Sequence, residues 1–183
     1  PQRVEGMRLL ADIGIRLGVL EDAEFLLASA ADFAPDNLLV QLEYVQILRK
    51  RQKFEAALSR AKNLLSAHPN NLQVKSLCAV EHMQTGAYEA AMSLLDEVLL
   101  AIPSDARTLV TYGHAVKTGG RTADAVEKYR QAKKAQPEYG ESYYSLANLK
   151  VFRFEDSEVK AMQHYADDEN LALMDRVYVN FAL

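Results

Sequence analysis

Apolar positions recur along this chain at spacings of three and four residues, interrupted by short polar or glycine-bearing breaks. In residues 72–105, LQVKSLCAVEHMQTGAYEAAMSLLDEVLLAIPSD, one stripe runs through Val74, Leu77 and Cys78. A second runs through Leu94, Leu95, Val98 and Leu99, with TGA between the two. That spacing sets each group on one side of a helix, so the segment predicts two amphipathic helices joined by a tight turn at Gly86.

The pattern has a period. Pro1, Pro35, Pro69, Pro103 and Pro137 stand 34 residues apart, Ala23, Ala57, Ala91 and Ala125 share the spacing, and the turn position reads Gly18, Gln52, Gly86, Gly120. Self-similarity at such an interval predicts a repeat array. Asn37, Asn71 and Asp105 precede the first helix of successive units, where a short side-chain oxygen accepts from the opening N–H groups. Pro69, which lacks a donor, closes the helix before it. The recurring alanine lets the two helices of a pair approach; a Leu there would cost about 1–3 kcal/mol by overpacking. Its partner position reads Ala11, Val45, Ala79, Gly113, Ala147, so Val45 is expected to splay the second pair.

These features resemble the tetratricopeptide repeat family, most closely in residues 106–139 through Tyr112, Gly113, Gly120, Ala125, Tyr129, Ala132 and Pro137. The resemblance implies an all-α, right-handed α-α superhelix of antiparallel helix pairs. It gives four units at 4–37, 38–71, 72–105 and 106–139, followed by an irregular fifth helical region and closing helices over 140–183. There Phe154 replaces the turn glycine, Val159 the alanine and Leu171 the proline, so the grid is expected to be lost, although 157–166 and 169–182 keep helical periodicity. The array would be a non-catalytic scaffold binding a protein or peptide. Chaperone-binding members of the family hold a terminal carboxylate with Lys, Asn and Arg; Leu42, Gln46, Leu77, Arg107 and Thr111 stand at those positions here, and that clamp is missing.

Charge narrows the partner. The net charge is -4, and the basic stretches 49–62 and 117–134 are interleaved with acids at helical spacing, which disfavours nucleic acid as partner and makes a helical-repeat RNA binder only a remote alternative. No run of about 18 apolar residues is present, so no membrane span is expected. A single cysteine, Cys78, cannot form an internal disulfide and fits a reducing, cytoplasmic setting. It also falls on the inward helix face, where a buried thiol is inert.

Few positions carry the pattern of a chemical site. KTGGRTAD sits at a turn position and lacks phosphate-loop spacing, and His68, His82, His114 and His164 lack metal-ligand spacing. Glu155, Asp156, Glu158, Asp167, Asp168 and Glu169 read as helix-start and surface acids. No catalytic, cofactor or metal site is assigned. What remains is the concave wall of first helices, whose positions 2, 5, 9 and 12 share a face. From Glu5, Arg8 and Asp12 onward, the candidate groove residues on it are Leu39, Leu42, Gln46, Arg49, Val80, Met83, Arg107, Val110, His114, Lys117, Tyr144 and Asn148. Apolar centres with cationic neighbours suit a peptide with apolar anchors and negative charge.

Residues 137–162 are also similar to the segment joining repeats to the catalytic domain in bacterial tetratricopeptide-repeat sulfotransferases. The match runs through Pro137, Tyr139, Gly140, Glu141, Ser145, Leu146, Ala147, Asn148, Leu149, Lys150, Arg153, Phe154, Asp156 and Met162, with departures at Val151 and Glu155. This resemblance implies a parent enzyme using PAPS, the activated sulfate nucleotide, with its phosphate loop after Leu183 and an array that positions an acceptor. With no initiator Met and an apolar end, VYVNFAL, the chain is expected to be cut from a longer protein. Exposed Val177, Tyr178 and Phe181 would then promote end-to-end self-association.

Overall fold

The computed structural model describes residues 2–183; Pro1, the first of the proline series, lies outside the described residues. The described residues form eleven helices and no strand: α1 (Gln2–Arg16), α2 (Leu20–Phe33), α3 (Leu38–Lys50), α4 (Phe54–Ala67), α5 (Leu72–Gln84), α6 (Tyr88–Ala101), α7 (Ala106–Thr118), α8 (Thr122–Ala135), α9 (Gly140–Ala147), α10 (Asp156–Asp167) and α11 (Leu173–Ala182). They gather into two compact units, residues up to Leu94 and Leu95–Leu183, divided within α6.

From α2 to α10 helix starts follow the 34-residue interval. First helices begin at residues 38, 72, 106 and 140, and second helices at 20, 54, 88, 122 and 156. Capping fixes several of these: Asn37 Oδ1 accepts from Val40 N at 3.3 Å, Asn71 Oδ1 from Gln73 N and Val74 N at 3.0 and 3.1 Å, and Asp105 Oδ2 from Thr108 N at 3.0 Å. At the other end, helices stop at Phe33, Ala67, Ala101 and Ala135, two residues before each proline, because the residue preceding proline is pushed out of the helical region. Gly18, Gly86 and Gly120 take φ of 78°, 80° and 80°; Gln52 takes 60°, a left-handed conformation that a side chain adopts only at a cost.

The first unit is held by clusters on alternating sides of its helices. Ala11, Ala23, Leu27 and Ile47 join α1, α2 and α3, while Leu42, Val45, Leu48, Ala57, Val74 and Cys78 join α3, α4 and α5. Ala23 and Ala57 are fully buried, as close helix crossing demands. Val45, the larger member at the partner position, is fully buried in the same cluster as Ala57 of α4.

In the second unit α7 and α8 cross at Gly113, where a Cβ would overlap the ring of fully buried Tyr129. From residue 140 the repeat changes in part. The marker residues are gone, yet α9 and α10 start in register. What changes is where α9 stops: it ends at Ala147, and residues 148–155 connect it to α10. The positive φ therefore sits at Lys150 (58°), not at Phe154. Large side chains hold α9 and α10 apart, with Tyr143, Met162 and Val179 at the centre of a cluster that also takes in Phe154, Val159 and Tyr165. Close backbone approach passes to α9 and α11 instead. A Cβ on Gly140 would overlap the α11 backbone at Asp175, whose Oδ1 accepts from Gly140 N at 2.9 Å. At the start of α10, Glu158 accepts from Glu155 N at 2.8 Å and pairs with Lys133 of α8.

Candidate functional site

In the first unit a cleft of about 280 Å³ opens between α1 and α3. Its floor is apolar: Ala11, Leu27 and Ile47 are buried there and Ile15 is half-buried. The 34-residue spacing produces that floor, since Ile47 of α3 and Leu27 of α2 both turn toward Ala11 of α1. On the rim Arg8 binds Glu43 with two parallel bonds, Nε to Oε2 at 2.7 Å and Nη2 to Oε1 at 2.6 Å, and reaches Glu5 through Nη1 at 2.7 Å. The hydrogen bond to Glu43 is the main reason the guanidinium holds its proton still more tightly than usual. A fork-to-carboxylate pair of this kind is rigid and leaves Arg8 little charge to offer a ligand. Asp12, Gln46 and Lys50 complete the rim and are exposed, with Asp12 already accepting from Arg16 Nε at 2.9 Å.

The first unit also holds a buried charge. Glu81 is fully buried, its Oε1 2.5 Å from Arg49 Nη1 and its Oε2 without a partner. Burial pushes the carboxyl up, against the opposing pull of Arg49. The equivalent position one repeat earlier is Ile47, so a carboxylate here occupies a site that packing would fill with hydrocarbon. Burial also lowers His82 and raises the Cys78 thiol to about 11, which leaves the sulfur protonated and unreactive near neutrality.

The second unit holds a hydrogen-bonded chain of side chains. Tyr129 Oη lies 2.9 Å from His114 Nδ1, His114 Nε2 is 3.5 Å from Glu141 Oε1, and Tyr139 donates to Glu141 Oε2 at 2.5 Å. Burial pushes the Tyr129 phenol up, so it donates to Nδ1, and a proton on Nε2 then faces Glu141. Glu141 is held below the usual carboxylate range, first by the hydrogen bond with His114 and then by Tyr139 and Arg107, against the cost of its own burial. Beside this chain Tyr144 packs on Tyr178 and Phe181 of α11, with ring centroids 5.4 and 6.4 Å away.

The structure divides the sequence-predicted groove. Leu42 and Val110 are 3% and 1% exposed and belong to the interior, which corrects their assignment to an open wall. In the first unit Leu39 and Gln46 are exposed, Val80 and Met83 half-buried, and Arg49 is committed to Glu81. Of these only Gln46 lines the cleft. In the second unit Arg107 and Asn148 are exposed, Lys117 and His114 half-buried, and Tyr144 is covered in part by α11. Ile15, Glu43 and Lys50 were not among the candidates. Their signal was a charge pair reaching from α1 to α3, which one-helix periodicity does not display. No group of three His, Cys, Asp or Glu among the described residues could hold a metal ion, and none of their helices is long and apolar enough to cross a membrane.

A tetratricopeptide repeat family model matches residues 48–109. A thermophilic TPR protein of Thermus thermophilus, TTC0263, superposes with a TM-score of 0.77 at 19% identity, covering 98% of each chain. The fold is that of a tetratricopeptide-repeat protein. MamA from Desulfovibrio magneticus RS-1 is similar at TM-score 0.67 and 19% identity, over 93% of this chain and 96% of that one. A tetratricopeptide repeat protein from Parabacteroides merdae ATCC 43184 gives 0.64 and 19%, over 100% and 74%. No curated protein sequence matches the chain. None of these comparisons supports the sulfotransferase resemblance of residues 137–162.

Proposed function

We propose that the chain is a protein-binding scaffold whose α1–α3 cleft takes one apolar side chain of a peptide, with an acidic neighbour of that side chain meeting Lys50. The observation that carries this reading is the pairing of a buried hydrocarbon floor with a rim whose other cation, Arg8, is already neutralised by Glu43. A Leu- or Phe-sized group fits the space and gains about 1.5–3 kcal/mol on leaving water. Lys50 then sets the flanking preference, and Gln46 offers a hydrogen bond to the peptide backbone.

The test is calorimetric titration with short synthetic peptides, each carrying one Leu or Phe flanked by Glu or by Lys. Acid-flanked peptides bind the unaltered chain more tightly. Lys50→Glu reverses the preference while helix content is unchanged, and Ile15→Asp removes binding of both kinds. Equal affinity for both flanks in the unaltered chain, or a preference that Lys50→Glu leaves intact, would overturn the assignment.

A further inference from the structure

Within the first unit, α3 shows how a first helix is covered by the pair before it. Tyr44 and Ile47 pack on Ala11, Ala23 and Leu27, and Arg51 binds Glu24 at 2.7 Å. Thirty-four residues earlier the same positions are Leu10 and Ile13 of α1 and Leu17 just after its end, which are 57%, 52% and 73% exposed. Their spacing of three and four makes a seam of the kind that packs against another helix. Gly6, one turn before Leu10, leaves a notch, since a Cβ there would meet nothing. Phe25 of α2 belongs to the same side: its counterpart Ser59 lines the hollow facing α2 and α3, and Phe25 is 70% exposed. The result is an apolar face in a position that, one repeat later, is an inter-repeat interface.

α11 carries a second such face. Leu173, Met174 and Phe181 are 71%, 57% and 74% exposed. With Val177 between them, Leu173 and Phe181 border a hollow of about 300 Å³ that Arg176 and Asn180 line on the polar side. Exposed apolar ridges of this extent mark contact surfaces.

We infer that the α11 ridge of one copy seats on the α1–α2 face of a second copy, as the next helix does in a continuing repeat array. Charge favours this pairing over α11 on α11. Arg176 would meet Glu21, 83% exposed, and its exposed neighbour Asp22, both close in sequence to the Leu17 end of the seam, whereas two α11 ridges would bring Arg176 toward its own copy. Because the two faces differ, the contact is heterologous and can add copies without closing. It uses none of the residues lining the α1–α3 cleft.

The experiment is sedimentation velocity of the 183-residue chain from about 10 μM to about 1 mM, a range that brackets small transient interfaces. The unaltered chain grows past dimer as concentration rises. Ile13→Asp and Phe181→Asp, both at exposed positions, each stay monomeric with unchanged helix content. Mixed in equal amounts they form a one-to-one dimer that grows no further, because one variant keeps the α11 ridge and the other keeps the α1–α2 face. Leu10→Lys and Leu173→Lys repeat the design at neighbouring positions. A monomer across the whole range, unaltered growth in either single variant, or a mixture that stays monomeric would each overturn the inference.

Discussion

Replacing Gly140 with Ala tests how α11 is held. Gly140 is the first residue of α9, and an added methyl would overlap the backbone Cα, carbonyl carbon and oxygen of Asp175, atoms that no rotamer change can move. α11 must therefore retreat, at about 1–3 kcal/mol for the overpacking alone. Retreat also breaks the bond from Gly140 N to Asp175 Oδ1, a capping interaction supplied from another helix and worth about 1 kcal/mol, and loosens the contact of Tyr144 with Tyr178. Against this stands the helix preference of Ala over Gly, at most about 1 kcal/mol. The net loss is roughly 1–3 kcal/mol, located in the second unit. Hydrogen exchange should show lost protection in α9 and α11 and unchanged protection in α3 to α5, with a lower urea midpoint for the second unit. The control is Gly6→Ala, inside α1 with nothing near the new methyl, which should stabilise by about 0.5–1 kcal/mol. If Gly140→Ala keeps α11 protected and changes stability by less than about 0.5 kcal/mol, close packing does not dock α11.

Three further outcomes follow from the same geometry. Gln52→Gly removes left-handed strain at φ 60° and should raise stability by about 0.5–1 kcal/mol, seen as a higher thermal midpoint; no gain would mean the side chain offsets the strain. Arg49→Met strands the buried Glu81 carboxylate and should cost about 3–5 kcal/mol near pH 7, less in mild acid where the raised Glu81 takes up a proton, and Glu81→Leu in the same chain should restore most of it; equal loss at both pH values would remove Glu81 from the account. Glu141 and Glu158 are held below their unfolded values, so the stability they contribute is complete above the unfolded carboxylate range and disappears as pH falls through their folded values. Urea unfolding of the second unit should weaken between about pH 5 and pH 3, and Glu141→Gln should flatten that slope; an unchanged slope would refute the role.

Much of the fold was legible because its punctuation is chemical. Asn37, Asn71 and Asp105 cap, and Pro35, Pro69, Pro103 and Pro137 each follow a helix end by two residues, so helix limits could be read directly. The early end of α9 carries no such mark. Lys150 takes a conformation usually left to glycine, and the real use of Gly140 depends on Asp175, 35 residues away. The site was less legible for a geometric reason. Position 5 of a first helix lies at the border between the open face and the neighbouring helix, so the residue type decides which way it turns. Arg8 is half-buried and ion-paired at the rim, whereas Leu42 and Val110 are drawn inside. Periodicity locates that border but not the side chosen.

The short α9 and the long connector after it are two halves of one exchange. α7 spends thirteen residues on helix and three on the turn to α8, whereas α9 spends eight and hands five more to residues 148–155. Coiled, five residues advance about 7–8 Å; drawn out, they reach about 16 Å. That slack lets α10 stand off while α11 moves in against α9, with no residue inserted or deleted. A fixed allotment of chain can thus either prolong a stack or fold over to finish it, and the choice is made by how much of it is wound.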